Sequence, residues 1–331
     1  MKTKILDVLH CPRCSGQLAL TSFLENENEV RSGQLVCDKT PAHIYEVEDG
    51  IIRFATGFDH DAVKREIEYE NSTYKGSDRL RDAKLIAQFP ETLSELWPHT
   101  CHFGPDFKVL IDHLDLKSDS WVLDIGTGPC WSSRLLAKRS ANVIALDVND
   151  ANFYGLKTAD ILFDAHAVYF ERILESMNNL PFRNESIDFI TFNASFHHTP
   201  DHRQTLRECY RVLKPGGTIA MVNEEFVSLR HRIFPAGESS DTGSHHSIAY
   251  SDFQNAVRQT GFATKYFVAN HVRQKLNHKL SDSISTHAIA LLERFPVLLK
   301  QLNSALILLR KPNQTIPAQI KEHSALPVLQ P

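Results

Sequence analysis

The sequence predicts an α/β protein with a doubly wound sheet and a small module at the amino terminus. Residues 121–150 supply the first observation, because they read in order as a strand, a glycine turn, a helix and a second strand. The second is a series of later apolar segments of strand length that alternate with amphipathic helical segments, which is typical of α/β sheets. The third is Cys11-Pro-Arg-Cys14, because the spacing of its two cysteines indicates that residues 1–58 form a small module separate from the rest of the chain.

The first of these segments is typical of one half of a nucleotide-binding domain. Trp121–Ile125 is apolar, Gly126 and Gly128 allow a tight turn close to a ligand, and a helix begins near Ser132. Asp147 ends the second strand about 20 residues after the first glycine, where an acid can accept both hydroxyls of an adenosine ribose. A glycine pair alone is also typical of an ordinary strand-to-helix turn, so neighbouring residues must identify the ligand.

Two neighbouring residues favour one class of ligand. A dinucleotide-binding turn requires a third small residue, and the chain has Trp131 at that position. Asp124 lies at the end of the first strand, where a carboxylate can neutralise a cationic ligand such as the amino acid part of S-adenosylmethionine. The sequence therefore favours a sulfonium nucleoside over a dinucleotide.

Four ordered blocks, LDIGTG, ALDV, LPFRNESIDFITFNASFHH and LRECYRVLKPGGTIAMVNE, run from residue 123 to residue 224. In content and spacing they resemble the class I S-adenosylmethionine-dependent methyltransferases, in particular the type 11 group. The resemblance implies a seven-stranded Rossmann-like sheet, S-adenosylmethionine as the cofactor and methyl transfer as the activity. The predicted cofactor-binding residues are Asp124, Gly126, Gly128, Asp147, Val148, Ser176, Met177 and Asn193.

The turn before Leu180 departs from the family pattern. In the family, an acid or amide in this turn contacts the adenine amine, and Ser176 occupies the position usually held by aspartate. Either Ser176 or the neighbouring Glu175 makes the contact, or adenine is held by the backbone of Met177 and by apolar packing. The departure allows a lower affinity for the cofactor than is usual in the family.

The loop after the predicted strand Ser186–Asn193 contains the candidate catalytic residues, His197 and His198. Ligands of open α/β sheets bind beyond the carboxyl ends of the strands, so these histidines are predicted to face the reaction. Methyl transfer from a sulfonium needs a base only when the nucleophile keeps its proton at neutral pH, and histidine suits that role. In many relatives the pair instead contributes to loop packing. The further candidates for an acid–base or metal-binding group are Glu224, His245 and His246. The alternative is that they are simply exposed polar residues.

The amino-terminal module is predicted to hold a structural zinc ion. Cys11 and Cys14 have the spacing of a zinc knuckle, and Cys37 and His43 are the preferred remaining ligands because tetrahedral zinc takes four. No secretion signal is present, which argues against disulfides among the six cysteines, and thiols without metal are the alternative. A module of this size could hardly fold on its apolar residues alone. Metal binding is therefore expected to contribute directly to its folding.

The segments around these cysteines, ILDVLHCPRCSGQL, LVC and IYEVEDGIIRF, resemble the zinc-ribbon activator subunit that partners eukaryotic methyltransferases. A similar fusion, with three cysteines and one histidine as ligands, is found in bacterial enzymes that methylate guanine in large-subunit ribosomal RNA, which implies RNA as an alternative acceptor. Residues 1–58 hold six Lys or Arg against eight Asp or Glu, whereas a phosphate-binding face should be basic. The charge balance therefore disfavours RNA.

These motifs divide the chain into four parts with two insertions. In chain order they are a zinc-ribbon module at 1–58, a helical cofactor-capping segment at 59–115, a methyltransferase core at 116–312 with insertions at 226–249 and 271–303, and a flexible tail at 313–331. His99, Cys101 and His102 lie close together in the second part, but the sequence offers no fourth ligand there. We therefore predict no metal site at that position.

Composition limits the remaining partners. The 331 residues carry a formal charge of −4, and no apolar run approaches the ~20 residues that a transmembrane helix needs, so the protein is predicted to be cytoplasmic. Residues 271–311 hold seven Lys or Arg against two Asp or Glu and either pack on the core or touch anionic lipid at a membrane surface. The predicted acceptor is a small molecule, sugar or lipid-linked intermediate. The alternatives are RNA methylation and a non-catalytic protein that keeps the methyltransferase fold for binding.

Overall fold

One mixed β-sheet of eleven strands runs through the described part of the chain. The computed structural model describes residues 1–26, 29–56, 61, 63–65, 82–140, 142–224, 226–227, 248–295 and 305–313. Strands and helices are numbered in chain order within these residues.

The amino-terminal module contributes four strands, each antiparallel to the next. They are β1 Leu18–Asn26, β2 Glu29–Cys37, β3 Ile44–Glu48 and β4 Ile51–Arg53. Asp49 and Gly50 form the turn between β3 and β4, and both have positive φ, 55° and 75°, as tight hairpin turns require. The segment IYEVEDGIIRF thus forms a strand, a tight turn and a second strand.

Seven further strands of the eleven-stranded sheet lie between residues 121 and 310. They are β5 Trp121–Ile125, β6 Asn142–Asp147, β7 Glu171–Leu174, β8 Ile187–Asn193, β9 Leu213–Val222, β12 Ala263–Val268 and β13 Ala305–Arg310. Their order in the sheet is β7-β6-β5-β8-β9-β13-β12; the first five are parallel, and β13 is antiparallel to both of its neighbours. The short strands β10 Phe226–Val227 and β11 Ile248–Ala249 pair separately in parallel.

The sheet has eleven strands in place of the predicted seven, because the module's four strands join the seven of the larger part. β4 pairs in parallel with β7, so that Ile51, Ile52 and Arg53 lie opposite residues 172–174. The order along the whole sheet is β1-β2-β3-β4-β7-β6-β5-β8-β9-β13-β12. Backbone hydrogen bonding therefore continues from the module into the core.

Nine α-helices are found in the described residues. They are α1 Ala83–Ala87, α2 Leu93–Leu96, α3 Phe103–Asp112, α4 Trp131–Ala137, α5 Ala159–His166, α6 His202–Val212, α7 Tyr250–Thr260, α8 Asn270–Lys279 and α9 Asp282–Arg294. Asp201 caps α6 by accepting two backbone N–H groups, and Gly261 ends α7 with a φ of 85°. α8 and α9 occupy most of the insertion predicted at 271–303.

Central strand β5 is buried along its whole length, as expected for a parallel strand covered on both faces. Leu123 and Ile125 belong to one buried apolar cluster and Val122 to another, so the strand separates two cores. The first cluster also contains Ile5 and Leu35 of the amino-terminal module. The module thus shares its hydrophobic core with the larger part of the chain.

Charged residues of β7 also hold the module against the core. Arg172 is fully buried, and its guanidinium lies 3.1 Å from Glu29 of β2 and 2.9 Å from Asp160 of α5. The same group donates to the carbonyl oxygen of Asp49 at 2.8 Å. Removing one partner of a buried ion pair leaves an uncompensated charge, so these contacts favour a fixed junction.

Glu171 gives this junction a pH dependence. Its carboxylate accepts hydrogen bonds from the backbone N–H of Lys2 at 3.0 Å and the hydroxyl of Tyr169 at 3.1 Å. Burial raises the pKa of Glu171 from 4.5 to about 7, against the opposing effect of the Met1 ammonium group. The folded state therefore binds this proton more tightly than the unfolded chain does. The resulting stabilisation is complete below the unfolded pKa and is lost as the pH rises through about 7.

We expect the free energy of unfolding to fall less for Glu171→Gln than for the wild type between about pH 5 and about pH 8, because glutamine has no proton to lose. Urea denaturation at each pH measures the difference. An equal fall in the two proteins would contradict the raised pKa.

No helix among the described residues is long and apolar enough to cross a membrane. Several predicted features lie outside the described residues, among them His245, His246, residues 296–304 and the tail from 314 onward. The predicted boundaries of the four parts of the chain remain predictions.

Candidate active site

Predicted cofactor residues meet at one edge of the sheet. β5, β6, β7 and β8 are parallel, and their carboxyl ends therefore lie along the same edge. Gly126 follows β5, Asp147 ends β6, Ser176 is the second residue after β7 and Asn193 ends β8. This edge is where ligands of open α/β sheets bind.

Two glycines shape the loop after β5. Gly126 has a φ of 68°, and a Cβ at this position would lie 2.5 Å from the Cβ of Ser195. Gly128 has a φ of 48°, but the nearest atoms to a Cβ there are 3.9 Å away, on the ring of Tyr154. Gly126 is thus required by a close approach as well as by its backbone, whereas Gly128 is required by its backbone alone.

Asp147 holds this loop from the neighbouring strand. One carboxylate oxygen accepts the N–H of Gly128 at 2.8 Å, and the other accepts the N–H of Asn149 at 2.9 Å. The next residue, Val148, is half-buried. The two hydrogen bonds orient the carboxylate at the strand end, where an acid can accept ribose hydroxyls.

Asp124 lies in a more enclosed environment than the sequence predicted. It is buried, and its carboxylate accepts hydrogen bonds from the hydroxyls of Ser132 at 2.6 Å, Ser133 at 2.7 Å and Thr191 at 2.7 Å. Burial raises the pKa of Asp124, and the three hydroxyl donors oppose that rise. These three hydrogen bonds fix the start of α4 against β5 and β8, and the predicted contact of Asp124 with a cationic ligand remains a prediction.

Cys130 is a residue of this loop to which the sequence assigned no role. Its φ is 58°, in the left-handed region that non-glycine residues rarely adopt, and it immediately precedes α4. Its sulfur lies 3.5 Å from the hydroxyl oxygen of Thr127. Burial raises the pKa of the thiol to about 12, so Cys130 stays protonated at neutral pH.

The turn after β7 connects the site to the amino-terminal module. Glu175 is fully buried, and one of its oxygens accepts the N–H of Thr56 at 3.1 Å and the hydroxyl of Thr56 at 2.6 Å. The other oxygen accepts the N–H of Ser176 at 2.7 Å. The hydroxyl of Ser176 accepts from the N–H of Asn178 at 3.2 Å, and Met177 is half-buried against the core. Because Glu175 binds the module, Ser176 and Met177 are the remaining candidates for the adenine contact.

A buried carboxylate organises the loop with the two histidines. Glu224, two residues after β9, accepts the backbone N–H groups of Ser195 at 3.0 Å, Phe196 at 3.1 Å and His197 at 3.2 Å. Its Oε2 also lies 3.1 Å from Nδ1 of His197. The carboxylate can only accept, so it favours the tautomer with the proton on Nδ1. Nε2 of His197 is then free of a proton, as a general base requires.

The structure also places the other two candidates of this region, His198 and Asn193. The ring of His198 is half-buried, with its centroid 4.3 Å from that of His197. The amide oxygen of Asn193 accepts from the side chain of Asn223 at 2.7 Å. Of the further candidates named from the sequence, the structure brings Glu224 to His197.

The four predicted zinc ligands form one cluster. The donor atoms of Cys11, Cys14, Cys37 and His43 all lie within 4.8 Å of one another. The Sγ of Cys11 is 3.4 Å from Nδ1 of His43, and the Sγ atoms of Cys14 and Cys37 are 3.3 Å apart. Zn–S bonds of about 2.3 Å separate the sulfurs of a tetrahedral site by about 3.8 Å, so this donor set fits zinc after small adjustments. The hydroxyl of Tyr45, 3.1 Å from the Sγ of Cys11, is an outer hydrogen-bond partner.

Comparison with known proteins finds similarity to methyltransferases over part of the chain. Residues 123–221 match the family described as "Methyltransferase domain". A ubiquinone biosynthesis O-methyltransferase of Pseudomonas putida is 26% identical over 145 residues, which cover 42% of this chain and 61% of that protein. A demethylmenaquinone methyltransferase of Listeria monocytogenes is 33% identical over 105 residues, which cover 31% of this chain and 44% of that protein. The chain thus spans less than two thirds of the length of either relative.

A solved structure with a similar chain is that of the YcgJ protein from Bacillus subtilis. It has 19% sequence identity and a TM-score of 0.47, and the match covers 64% of this chain and 100% of that chain.

Proposed function

We propose that this protein transfers a methyl group from S-adenosylmethionine to a small-molecule acceptor. The observation that carries the proposal is the hydrogen bond between Gly128 and Asp147 at adjacent parallel strand ends, within the segment that matches the methyltransferase family. This geometry supports binding of the donor ribose by Asp147 and of the donor's amino acid part above the glycine loop.

The proposed donor site also includes the turns after the neighbouring strands. Ser176 and Met177 contact the adenine, and a neutral hydroxyl in place of the usual aspartate is consistent with a weaker contact. Asp124 acts indirectly, by fixing α4 beneath the loop. The full set of proposed contact residues is Gly126, Gly128, Asp147, Val148, Ser176, Met177 and Asn193.

His197 is the proposed general base, and Glu224 is its positioning residue. Nε2 of His197 takes the proton of the acceptor's hydroxyl or amine group. At the same time the acceptor oxygen or nitrogen bonds to the methyl carbon, and the donor sulfur keeps the electron pair of the bond that breaks. Glu224 holds the ring through Nδ1 and stabilises the imidazolium that forms. His198 packs against the same ring and is the second candidate.

The cysteine cluster is the proposed site of a structural zinc ion. Three sulfurs and one imidazole nitrogen are a donor set that zinc prefers, and all four ligands come from the protein, as in structural rather than catalytic sites. Zinc there would tie the loop before β1 to the loop between β2 and β3. The proposed contribution is to the folding of the module.

Two kinds of observation support the choice of acceptor. The names of the two relatives refer to ubiquinone and demethylmenaquinone, which supports a small or lipid-linked molecule. In addition, α9 and the residue after it expose Ile284, Leu291 and Phe295, with Lys279 and Arg294 nearby in sequence. Exposed apolar residues with basic neighbours support a peripheral contact with anionic lipid, where a lipid-linked acceptor would be met.

Isothermal titration with S-adenosylmethionine tests the proposal. We expect zinc-replete wild-type protein to bind the donor and Asp147→Asn to bind it about 10- to 100-fold more weakly, because a charge-assisted hydrogen bond is worth about 1.5–3 kcal/mol. Asp164→Asn, at an exposed position of α5, is the matched control and should bind normally. Absence of binding in the wild type would exclude the enzyme and favour a non-catalytic binding protein.

A further inference from the structure

A second group of potential metal ligands lies between two helices that are distant in sequence. His102 immediately precedes α3, Asp106 lies one turn further along that helix, and His271 is in the first turn of α8. One donor atom from each residue lies within 4.8 Å of the other two. The centroids of the two imidazole rings are 4.4 Å apart.

Asp106 is oriented by the start of α8. One carboxylate oxygen accepts the backbone N–H of His271 at 3.0 Å, and the other lies 2.6 Å from Nδ1 of the same residue. Asp106 is 1% exposed, and Ala269 at the N-cap of α8 has no side-chain acceptor of its own. Asp106 therefore caps α8 with one oxygen and directs the other towards the imidazole rings.

The histidines of this group open onto a cavity. Both His102 and His271 are half-buried and line a space of about 400 Å³, together with Lys275 and Lys279 of α8. A metal ion with three protein ligands keeps at least one coordination position for water or an added ligand. At this position the cavity would admit such a ligand, and the two lysines favour an anionic one.

We propose that His102, Asp106 and His271 bind a divalent transition metal ion of the zinc type. Two imidazoles and one carboxylate are a common ligand set for zinc and its first-row neighbours. Bonds of about 2.1 Å separate neighbouring donor atoms of a tetrahedral site by about 3.4 Å, so separations of at most 4.8 Å must close by up to about 1.4 Å when the ion binds. The ion would join α3 to α8, since Asp106 and His271 are 165 residues apart in the sequence.

A purely structural role for Asp106 as a helix cap makes a different prediction. Asp106→Asn keeps an oxygen to accept the N–H of His271 but loses the charge that favours a metal ion. His102→Ala removes a ligand and leaves the cap of α8 intact. If capping alone matters, neither substitution changes the amount of metal bound.

The experiment is to dialyse the purified full chain against Zn²⁺, remove free ion and count bound zinc per chain by elemental analysis. We expect two equivalents in the wild type and one in Asp106→Asn, in His102→Ala and, if it folds, in Cys37→Ser. His113→Ala, an exposed histidine at the end of α3, is the matched control and should keep two. The proposal would be overturned if the wild type binds one equivalent of zinc and both Asp106→Asn and His102→Ala still bind it. It would also be overturned if His113→Ala loses as much zinc as these two variants. A single equivalent that His102→Ala removes would support this site and contradict the cysteine site.

Discussion

His197→Ala is expected to lower the rate of methyl transfer about 10²- to 10⁴-fold and to leave the affinity for S-adenosylmethionine within about twofold. Nδ1 of the imidazole lies 3.1 Å from Glu224, so in the proposed mechanism Nε2 takes the proton and the residue contributes to the chemical step alone. The measurement is incorporation of labelled methyl groups into a metabolite extract, with donor affinity measured separately by titration calorimetry.

Two further variants make this prediction specific. His198→Ala is the matched control, since His198 has no hydrogen bond to Glu224 among the contacts described, and we expect a smaller loss of rate. Glu224→Gln keeps an oxygen for the loop N–H groups but cannot compensate the imidazolium charge, so its rate should lie between the other two. If His197→Ala weakens donor binding as much as it slows turnover, the histidine packs the loop and is not the base.

Local signals explain why much of the central fold could be predicted from the sequence. Trp121–Ile125 was predicted with the bounds that the structure has, and the predicted strand Ser186–Asn193 differs from the observed Ile187–Asn193 by one residue. Each is a short apolar run bounded by polar or turn residues, a pattern set by the segment itself. The glycine loop is similar, because only glycine adopts its backbone freely.

Features that depend on distant residues could not be predicted. The parallel pairing of β4 with β7 joins residues more than 100 positions apart, and no pattern in either strand specifies its partner. The three hydroxyls that donate to Asp124 could not be predicted either, because one of them belongs to Thr191, 67 residues further along the chain. The group of His102 with Asp106 and His271 was missed for the same reason, since His271 follows in the sequence long after the other two.

Cys37→Ser is expected to abolish zinc binding at the cysteine cluster and to lower the melting temperature by about 10 °C or more. Structural zinc in small modules contributes about 10–16 kcal/mol to folding, and a loss of even about 5 kcal/mol produces a shift of that size. Cys37 is buried at the end of β2, so the substitution acts directly on the strands that extend the sheet. Thermal unfolding with and without a zinc chelator measures the effect, and Arg13→Ala, an exposed change between two ligands, is the control.

The same substitution should also weaken binding of S-adenosylmethionine, because the module reaches the proposed donor site. β4 pairs with β7, and Thr56 beyond β4 donates two hydrogen bonds to Glu175, the residue before Ser176. Thr56→Val isolates this connection: it removes the hydroxyl donor, leaves the zinc ligands intact and is expected to reduce donor affinity without loss of zinc. If Cys37→Ser loses zinc yet binds the donor as tightly as the wild type, the module folds or unfolds independently of the site, and the shared sheet has no part in forming the pocket.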